Sequence, residues 1–294
     1  MNAIEIIQSL PCWQALVSID PLSGGMTNLN FKVCDQKGAF VVRLGEDSPA
    51  HLISRNNEIA AGRAAHEIGV SPRVVHHQPG VLVIEFIEGQ VLTEQTLNTP
   101  AMLPRVTDLM KRFHQEMPRY FRGLPVLFWV FQVMRHYRNV LVEHDSQYLG
   151  ELSRLERIAD QLEQQVGSVE LVFGHNDLLA ANFIDDGEKL WLIDFDYAGF
   201  NSELFDLANL GSNNQLSHQQ EQVLLQRYYG DDIDGSIDGL LWRRYQAMKC
   251  ASLLRETMWS MVSEVTSEIE FDYSSYTLEN RQRFDNAYED FRNL

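Results

Sequence analysis

Residues 172–199 read VFGHNDLLAANFIDDGEKLWLIDFDYAG and set carboxylates and amides between short apolar runs. The first run delivers His175-Asn176-Asp177, and Asn182 follows five residues after Asp177. A second run delivers Asp194, twelve residues after Asn182. Phosphoryl transfer to an alcohol needs such a set: a carboxylate to orient the attacking hydroxyl and accept its proton, and oxygen donors to hold Mg²⁺ against the phosphates. Mg²⁺ takes hard oxygen ligands in a tight octahedron, which an Asp and an Asn on adjacent loops can supply. This order makes Asp177 the base and Asn182 and Asp194 the metal ligands. Asp196 is a further candidate, as a weaker metal ligand or on the acceptor side. Asn and Asp also cap turns between short strands, and a lone DxxxxN would mean no more than that. The two motifs in order, each behind an apolar run, favour chemistry.

These groups need elements to position them. Residues 1–10 read as a short amphipathic helix stopped by Pro11. Strands are expected over 15–19, 29–34 and 39–44, rich in Val, Phe and Ile, with Gly24-Gly25 between the first two and a turn at Lys37-Gly38. A helix is expected over 55–68, where Ile59, Ala60, Ala64 and Ile68 recur at helical spacing before Gly69. Two more strands follow at 74–76 and 81–86. The rest is mainly helical: 103–114, the aromatic stretch 127–142, and 149–166, whose Leu149, Leu152, Leu155, Ile158, Leu162 and Val166 form one stripe. Helices return after Asp206, at 219–228 and 240–261. The class is α+β, with a small antiparallel lobe over 1–87 and a larger, mainly helical lobe over 88–294. His114, Phe128, Trp129, Phe131 and Tyr137 are read as core. His175 and Asp206 are expected to brace the loop that carries Asp177, Asp206 from a helix start.

The composition narrows the partners. The 294 residues carry 24 Lys and Arg against 41 Asp and Glu, a formal charge of −17. Nucleic acid and anionic membranes require clustered cations, so neither is expected as the main partner. Cys12, Cys34 and Cys250 are widely spaced and odd in number, which argues against a disulfide framework and for a reducing cytoplasm. Residues 1–10 hold Glu5 and no early Lys or Arg, unlike a secretory signal. The most apolar stretch, 126–133, contains Gln132 and is too short to anchor the chain in a bilayer. Nothing in the sequence assigns an oligomeric state.

His175-Asn-Asp-Leu-x-x-x-Asn182 and Ile193-Asp-Phe-Asp-Tyr197 resemble the catalytic and metal motifs of the choline/ethanolamine kinase family, within the aminoglycoside phosphotransferase-like group. Phe205-Asp-Leu-Ala-Asn209, Ser23-Gly-Gly-Met-Thr-Asn28, Val41-Val-Arg-Leu44 and Ile269-Glu-Phe-Asp-Tyr273 extend the likeness over nearly the whole chain. The resemblance implies a bilobal protein-kinase-like fold, with residues 1–87 as the nucleotide-binding lobe and 88–294 as the catalytic and substrate-binding lobe. It implies ATP and Mg²⁺. Alone, Gly24-Gly25 is a hairpin turn. In this context the two glycines let backbone approach phosphate, and Thr27 and Asn28 add polar donors. Arg43 stands where protein kinases place their phosphate-binding Lys, and its planar fork suits phosphate. Glu58, on the following helix, stands where kinase-like folds supply an acid to pair with that cation. Residues 84–87 would form the hinge, with the Glu85 and Ile87 backbone facing adenine.

Length between motifs separates substrate classes. Eleven residues lie between Asp194 and Asp206, and no Ala-Pro-Glu follows, so there is little room for a peptide platform. A small cationic alcohol is expected as acceptor. Thiamine-like and aminoglycoside-like alcohols remain alternatives, as does a nucleotide-binding pseudokinase, which the complete polar set argues against. The family builds a cage for a quaternary ammonium with two tryptophans in a stretch resembling 251–262. Trp259 matches the second, and Glu256 replaces the first. That departure suits an amine that keeps its N–H donors, since a carboxylate can accept from them.

Overall fold

The computed structural model describes residues 2–22, 28–230 and 237–294. Helix α1 (Ala3–Gln8) is closed by Asn2, whose side chain accepts from the Glu5 amide while Glu5 reaches back to the Asn2 amide. An antiparallel sheet follows, of β1 (Ser18–Leu22), β2 (Leu29–Asp35), β3 (Gly38–Leu44), β4 (Val74–Gln78) and β5 (Val81–Glu85), in the order β1-β2-β3-β5-β4. Asp35 Oδ1 accepts from the amides of Lys37 and Gly38 and so fixes the β2–β3 turn. Side chains alternate across a strand. Phe40, Val42, Val81 and Val83 therefore share one face and pack with Ile7, Leu10 and Val33 in a small core. Arg43, one residue past Val42, points to the other face and meets α2 (Arg55–Glu67).

Helix α2 belongs to the larger core. Its Ala61, Ala64 and Ala65 are buried with Met110, Phe113 and Met117 of α4 (Met102–Tyr120). After β5 the chain forms β6 (Gln90–Val91) and α3 (Glu94–Leu97) before α4. Helices α5 (Val130–Glu143) and α6 (Leu149–Val166) then lead to β7 (Leu171–Gly174), β8 (Phe183–Asp185), β9 (Leu190–Leu192) and β10 (Gly199–Ser202). β10 pairs with β7, while β8 lies between β6 and β9. Helices α7 (Glu203–Asn213), α8 (His218–Tyr229), α9 (Gly239–Thr266) and α10 (Tyr273–Arg292) complete the chain. α9 is buried along most of its length, from Tyr245 to Ser263, as befits a helix packed by α5, α6, α7 and α10. No helix among the described residues is long and apolar enough to cross a membrane.

The expected elements are present, with boundary shifts that have local causes. β1 begins at Ser18 rather than 15 because Ala15 has φ +53°, outside the extended region. α5 begins at Val130 rather than 127 because Leu127 and Phe128 run extended beside β10, where the Phe128 amide donates to the Phe200 carbonyl at 2.9 Å.

Candidate active site

The loop between β7 and β8 carries Asp177 and Asn182 and is held by polar side chains of α7. Asp206 accepts from the His175 and Asn176 amides, both at 2.7 Å, and from His114 Nε2 at 2.9 Å. Asn209 accepts from the Leu178 amide at 2.5 Å, and Asn214 from the Ala180 amide at 2.7 Å. Asp206 is fully buried. Burial works against its charge, but His114 and His175 together outweigh it and hold the carboxyl below its ordinary value. Asp206 braces the loop from the first turn of α7, as expected, while Ser202 caps that helix by accepting from the Leu204 amide. Gly174 makes this contact possible, since a Cβ there would lie 2.8 Å from Asn176 Oδ1 and 3.2 Å from Asp206 Oδ2. Each of the two buried amides would cost about 1–3 kcal/mol if left unpaired.

A second loop, between β9 and β10, carries Asp194 and Asp196, and two side chains tie it to the first. Asn176, at φ +66°, donates to the Tyr197 carbonyl at 2.9 Å. His175 Nε2 bonds the Ile193 carbonyl at 3.0 Å, and the ring is fully buried, so His175 is a structural brace. Asn182 Nδ2 donates to the Asp177 backbone carbonyl at 2.9 Å, which fixes its amide and commits its oxygen to the other side. Asp194 sits at φ +70°, in the left-handed region, with its side chain 32% exposed. Burial pushes the Asp177 carboxyl up to about 7. Arg255 opposes this, and Glu256, Asp194 and Asp196 add to it.

Arg43 and Glu58 meet at 2.6 Å, and Arg43 Nη2 lies 2.9 Å from Asp194 Oδ1. Burial works against the Arg43 charge, but Asp194, Asp196 and Glu58 overcome it. Asp196, expected on the metal or acceptor side, sits instead in this ion cluster. Its Oδ1 takes Arg43 Nη1 at 2.7 Å and Arg55 Nη1 at 2.6 Å, and its Oδ2 accepts from Asn28 at 3.3 Å. Sequence reasoning missed Arg55, which also pairs with Glu58 at 2.8 Å and donates to Asn28 Oδ1 at 2.6 Å. Its i,i+3 spacing to Glu58 was the available signal. Gly45 leaves the room that Asn28 occupies, since a Cβ there would lie 2.1 Å from Asn28 Oδ1.

Gly24, Gly25 and Thr27 lie outside the described residues. At the expected hinge, the Phe86 amide is taken by the Ala39 carbonyl and the Glu85 amide by Arg73. The Glu85 side chain is taken up by Arg73 at 2.7 Å, which leaves a contact with a base to the Glu85 backbone.

The expected acceptor residues lie on α9. Trp259 is 4% exposed and donates Nε1–H to the Tyr197 hydroxyl at 2.8 Å, with Tyr273 and Tyr276 set edge-on around it. Glu256 is already engaged, by Tyr276 OH at 2.9 Å and by Arg255 Nη1 at 2.6 Å. Arg255, which sequence reasoning also missed, is 2% exposed and lies 4.5 Å over the Tyr197 ring. A charge inside the apolar run of α9 was the signal.

Two expected outcomes follow from this geometry. Arg43→Ala should weaken nucleotide binding or slow transfer, and Arg43→Lys should rescue it only in part, because a point charge does not reproduce the fork that spans Glu58, Asp194 and Asp196. Nucleotide titration and steady-state kinetics of both variants check this, and parent-like behaviour of both would remove Arg43 from the site. The second concerns pH. A base must be ionised to act, so kcat/KM should fall as pH drops through about 7. Glu256→Gln removes a neighbouring negative charge that raises this pKa, so the acid limb should move to lower pH. A limb that stays in place or moves up would separate Glu256 from Asp177.

The two-lobed fold, with an Asp and an Asn on one loop and an acidic loop tied beside it, defines a kinase-like phosphotransferase. Comparison with known proteins agrees. The choline/ethanolamine kinase family profile matches residues 19–286. A probable ethanolamine kinase from Arabidopsis thaliana is 27% identical over 89% of this chain and 77% of its own length. A choline/ethanolamine kinase family protein from Mesorhizobium loti superposes with TM-score 0.78 at 25% identity, covering 98% of this chain and 92% of that one. Choline kinase LicA from Streptococcus pneumoniae shares the fold, with TM-score 0.79 at 20% identity over 99% and 97% of the two chains. This chain belongs to the choline/ethanolamine kinase family, and with it to the phosphotransferases that use an alcohol group as acceptor.

Proposed function

We propose that this protein is an ATP- and Mg²⁺-dependent kinase that phosphorylates the hydroxyl of a small amino alcohol in the cytoplasm. The observation that carries this reading is the joining of the two acidic loops through Asn176, which sets Asp177 and Asn182 beside the strand end that bears Asp194. The donor set fits Mg²⁺. It offers oxygens only, from Asn182 and Asp194, and no cluster of three His, Cys, Asp or Glu that could hold a metal alone is assembled among the described residues. Mg²⁺ bound mainly through phosphates asks for no more than one or two protein oxygens. When bound, Mg·ATP would supply the γ-phosphoryl group and neutralise its charge.

The residues of the chain then divide the work. Asp177 orients the acceptor hydroxyl and takes its proton as the new oxygen–phosphorus bond forms, while ADP departs with the electron pair of the broken bond. A carboxyl held near 7 is suited to this, because it is ionised in a large fraction at neutral pH yet basic enough to accept. Arg43, anchored on Glu58, faces Asp194 and is the cation for phosphate. Gly24, Gly25, Thr27 and Asn28 are the remaining residues assigned to the phosphates. The Glu85 and Ile87 backbone receives adenine. Trp259 and Glu256 line the acceptor end, where the acidic side chain accepts from an ammonium. The net charge of −17 supports a cationic small molecule over nucleic acid, and three free cysteines suit a reducing compartment.

The test is an ATP-consumption screen over ethanolamine, choline, other amino alcohols, thiamine and aminoglycosides, with product masses. A phosphomonoester of an amino alcohol is expected. Nucleotide binding with no acceptor turned over would overturn the reading and leave a pseudokinase.

A further inference from the structure

Arg255 is a buried cation with unfinished bonding. It stands on α9 in a stretch otherwise buried for packing, where an aliphatic residue would serve. Its Nη1 is used by Glu256, but its Nε and Nη2 are buried with no hydrogen-bond partner among the described residues. Arg55 shows the contrast, since its Nε, Nη1 and Nη2 all have acceptors. Leaving charged donors unpaired in the interior is costly, and native proteins keep such groups where something else completes them. Nε and Nη2 form one edge of the guanidinium, two parallel donors whose spacing matches the two oxygens of a carboxylate.

The position of that edge matters. Arg255 lies over Tyr197, the residue whose hydroxyl takes the Trp259 Nε1–H, and it is salt-bridged to Glu256. It therefore stands inside the acceptor end of the site. Its charge and that of Glu256 cancel within the pair, while the Asp177 carboxyl lies in electrostatic reach of both. A molecule carrying both signs would gain from both members.

We propose that the acceptor is a hydroxy amino acid, a small alcohol with both an ammonium and a carboxylate, whose carboxylate is gripped by the Nε/Nη2 edge of Arg255 while Glu256 and Tyr276 take the ammonium. This rests on the kinase reading above and specifies its substrate class. Both donors are buried, so a carboxylate reaches them only if the side chains around them move. The chemical step is unchanged: the hydroxyl oxygen attacks phosphorus, its proton passes to Asp177, and the carboxylate takes no part in bond making.

Matched pairs test it. Serine and ethanolamine differ only by the carboxylate, as do homoserine and 3-aminopropan-1-ol. In the parent, kcat/KM should favour the carboxylated member of at least one pair. Arg255→Met should reduce that ratio by about 10²-fold or more, the scale on which a site built to bond a polar group discriminates its absence. Arg255→Lys should fall between, keeping the charge without the fork. Because each ratio is taken on one preparation, a variant that is partly unfolded still reports it. A parent that prefers the decarboxylated member of both pairs, or a ratio unmoved in Arg255→Met, overturns the assignment while ethanolamine turnover leaves the kinase reading intact. Nucleotide binding with no turnover of either pair or of any acceptor in the wider screen overturns both.

Discussion

Asp194→Ala is expected to lower Mg²⁺-dependent transfer by at least on the order of 10²–10³-fold, the scale of losing one charge-stabilising group in a transition state. The metal role proposed for Asp194 rests on its backbone. At φ +70° the chain turns sharply, and the side chain emerges 32% exposed beside Arg43. Burial works against its charge, but Arg43, with His175 and Arg55, more than offsets it and keeps the carboxyl below its ordinary value, so the side chain is an anion available to the proposed metal. The same contact makes the prediction sharper. Removing Asp194 frees Arg43 Nη2, so metal-free nucleotide binding should hold or strengthen while the Mg²⁺ dependence of turnover disappears. Titrating Mg²⁺ at fixed ATP in parent and variant reads both. A variant with unchanged metal dependence would show that the metal is held elsewhere.

Asp177→Asn should keep nucleotide binding and lose about 10²–10⁴-fold in kcat, the contribution of a positioned base. The substitution preserves the loop, because Asn182 bonds the Asp177 backbone carbonyl and not its carboxylate. The amide cannot accept the hydroxyl proton, so the acid limb of the pH profile near 7 should vanish with it. Near-parent kcat in this variant would take the base role away from Asp177.

Much of this site was legible because its parts are close in sequence. Asp177, Asn182 and Asp194 sit within one run of strands and loops, where apolar stretches mark what is buried and polar triplets mark what emerges. Arg43 and Glu58 could be paired because a strand end followed by a helix start brings them together, as they are at 2.6 Å. Asp196 could not be placed that way. Two residues from Asp194, it reads as a further, weaker ligand or an acceptor-side residue, but the turn at Asp194 sends it toward Arg55 and Asn28, partners 141 and 168 residues away. Arg255 was hidden by the opposite effect. Helical spacing predicts which residues share a face, but not that a cation would enter a core helix and engage Glu256 beside it. The polar face of α7 was equally opaque, since Asn209 and Asn214 gain meaning only from the loop they hold.

That face sets how the loop between β7 and β8 breathes. A surface loop exchanges its amide hydrogens by small local openings, whereas the Leu178 and Ala180 amides are bonded to side chains whose own backbone lies in or caps a buried helix. Asn209 is pinned in turn to Ser252 of α9 at 3.0 Å. Opening the loop therefore means disturbing α7 and its packing on the longest helix of the domain, so deuterium should enter these two positions on the slow schedule of the core.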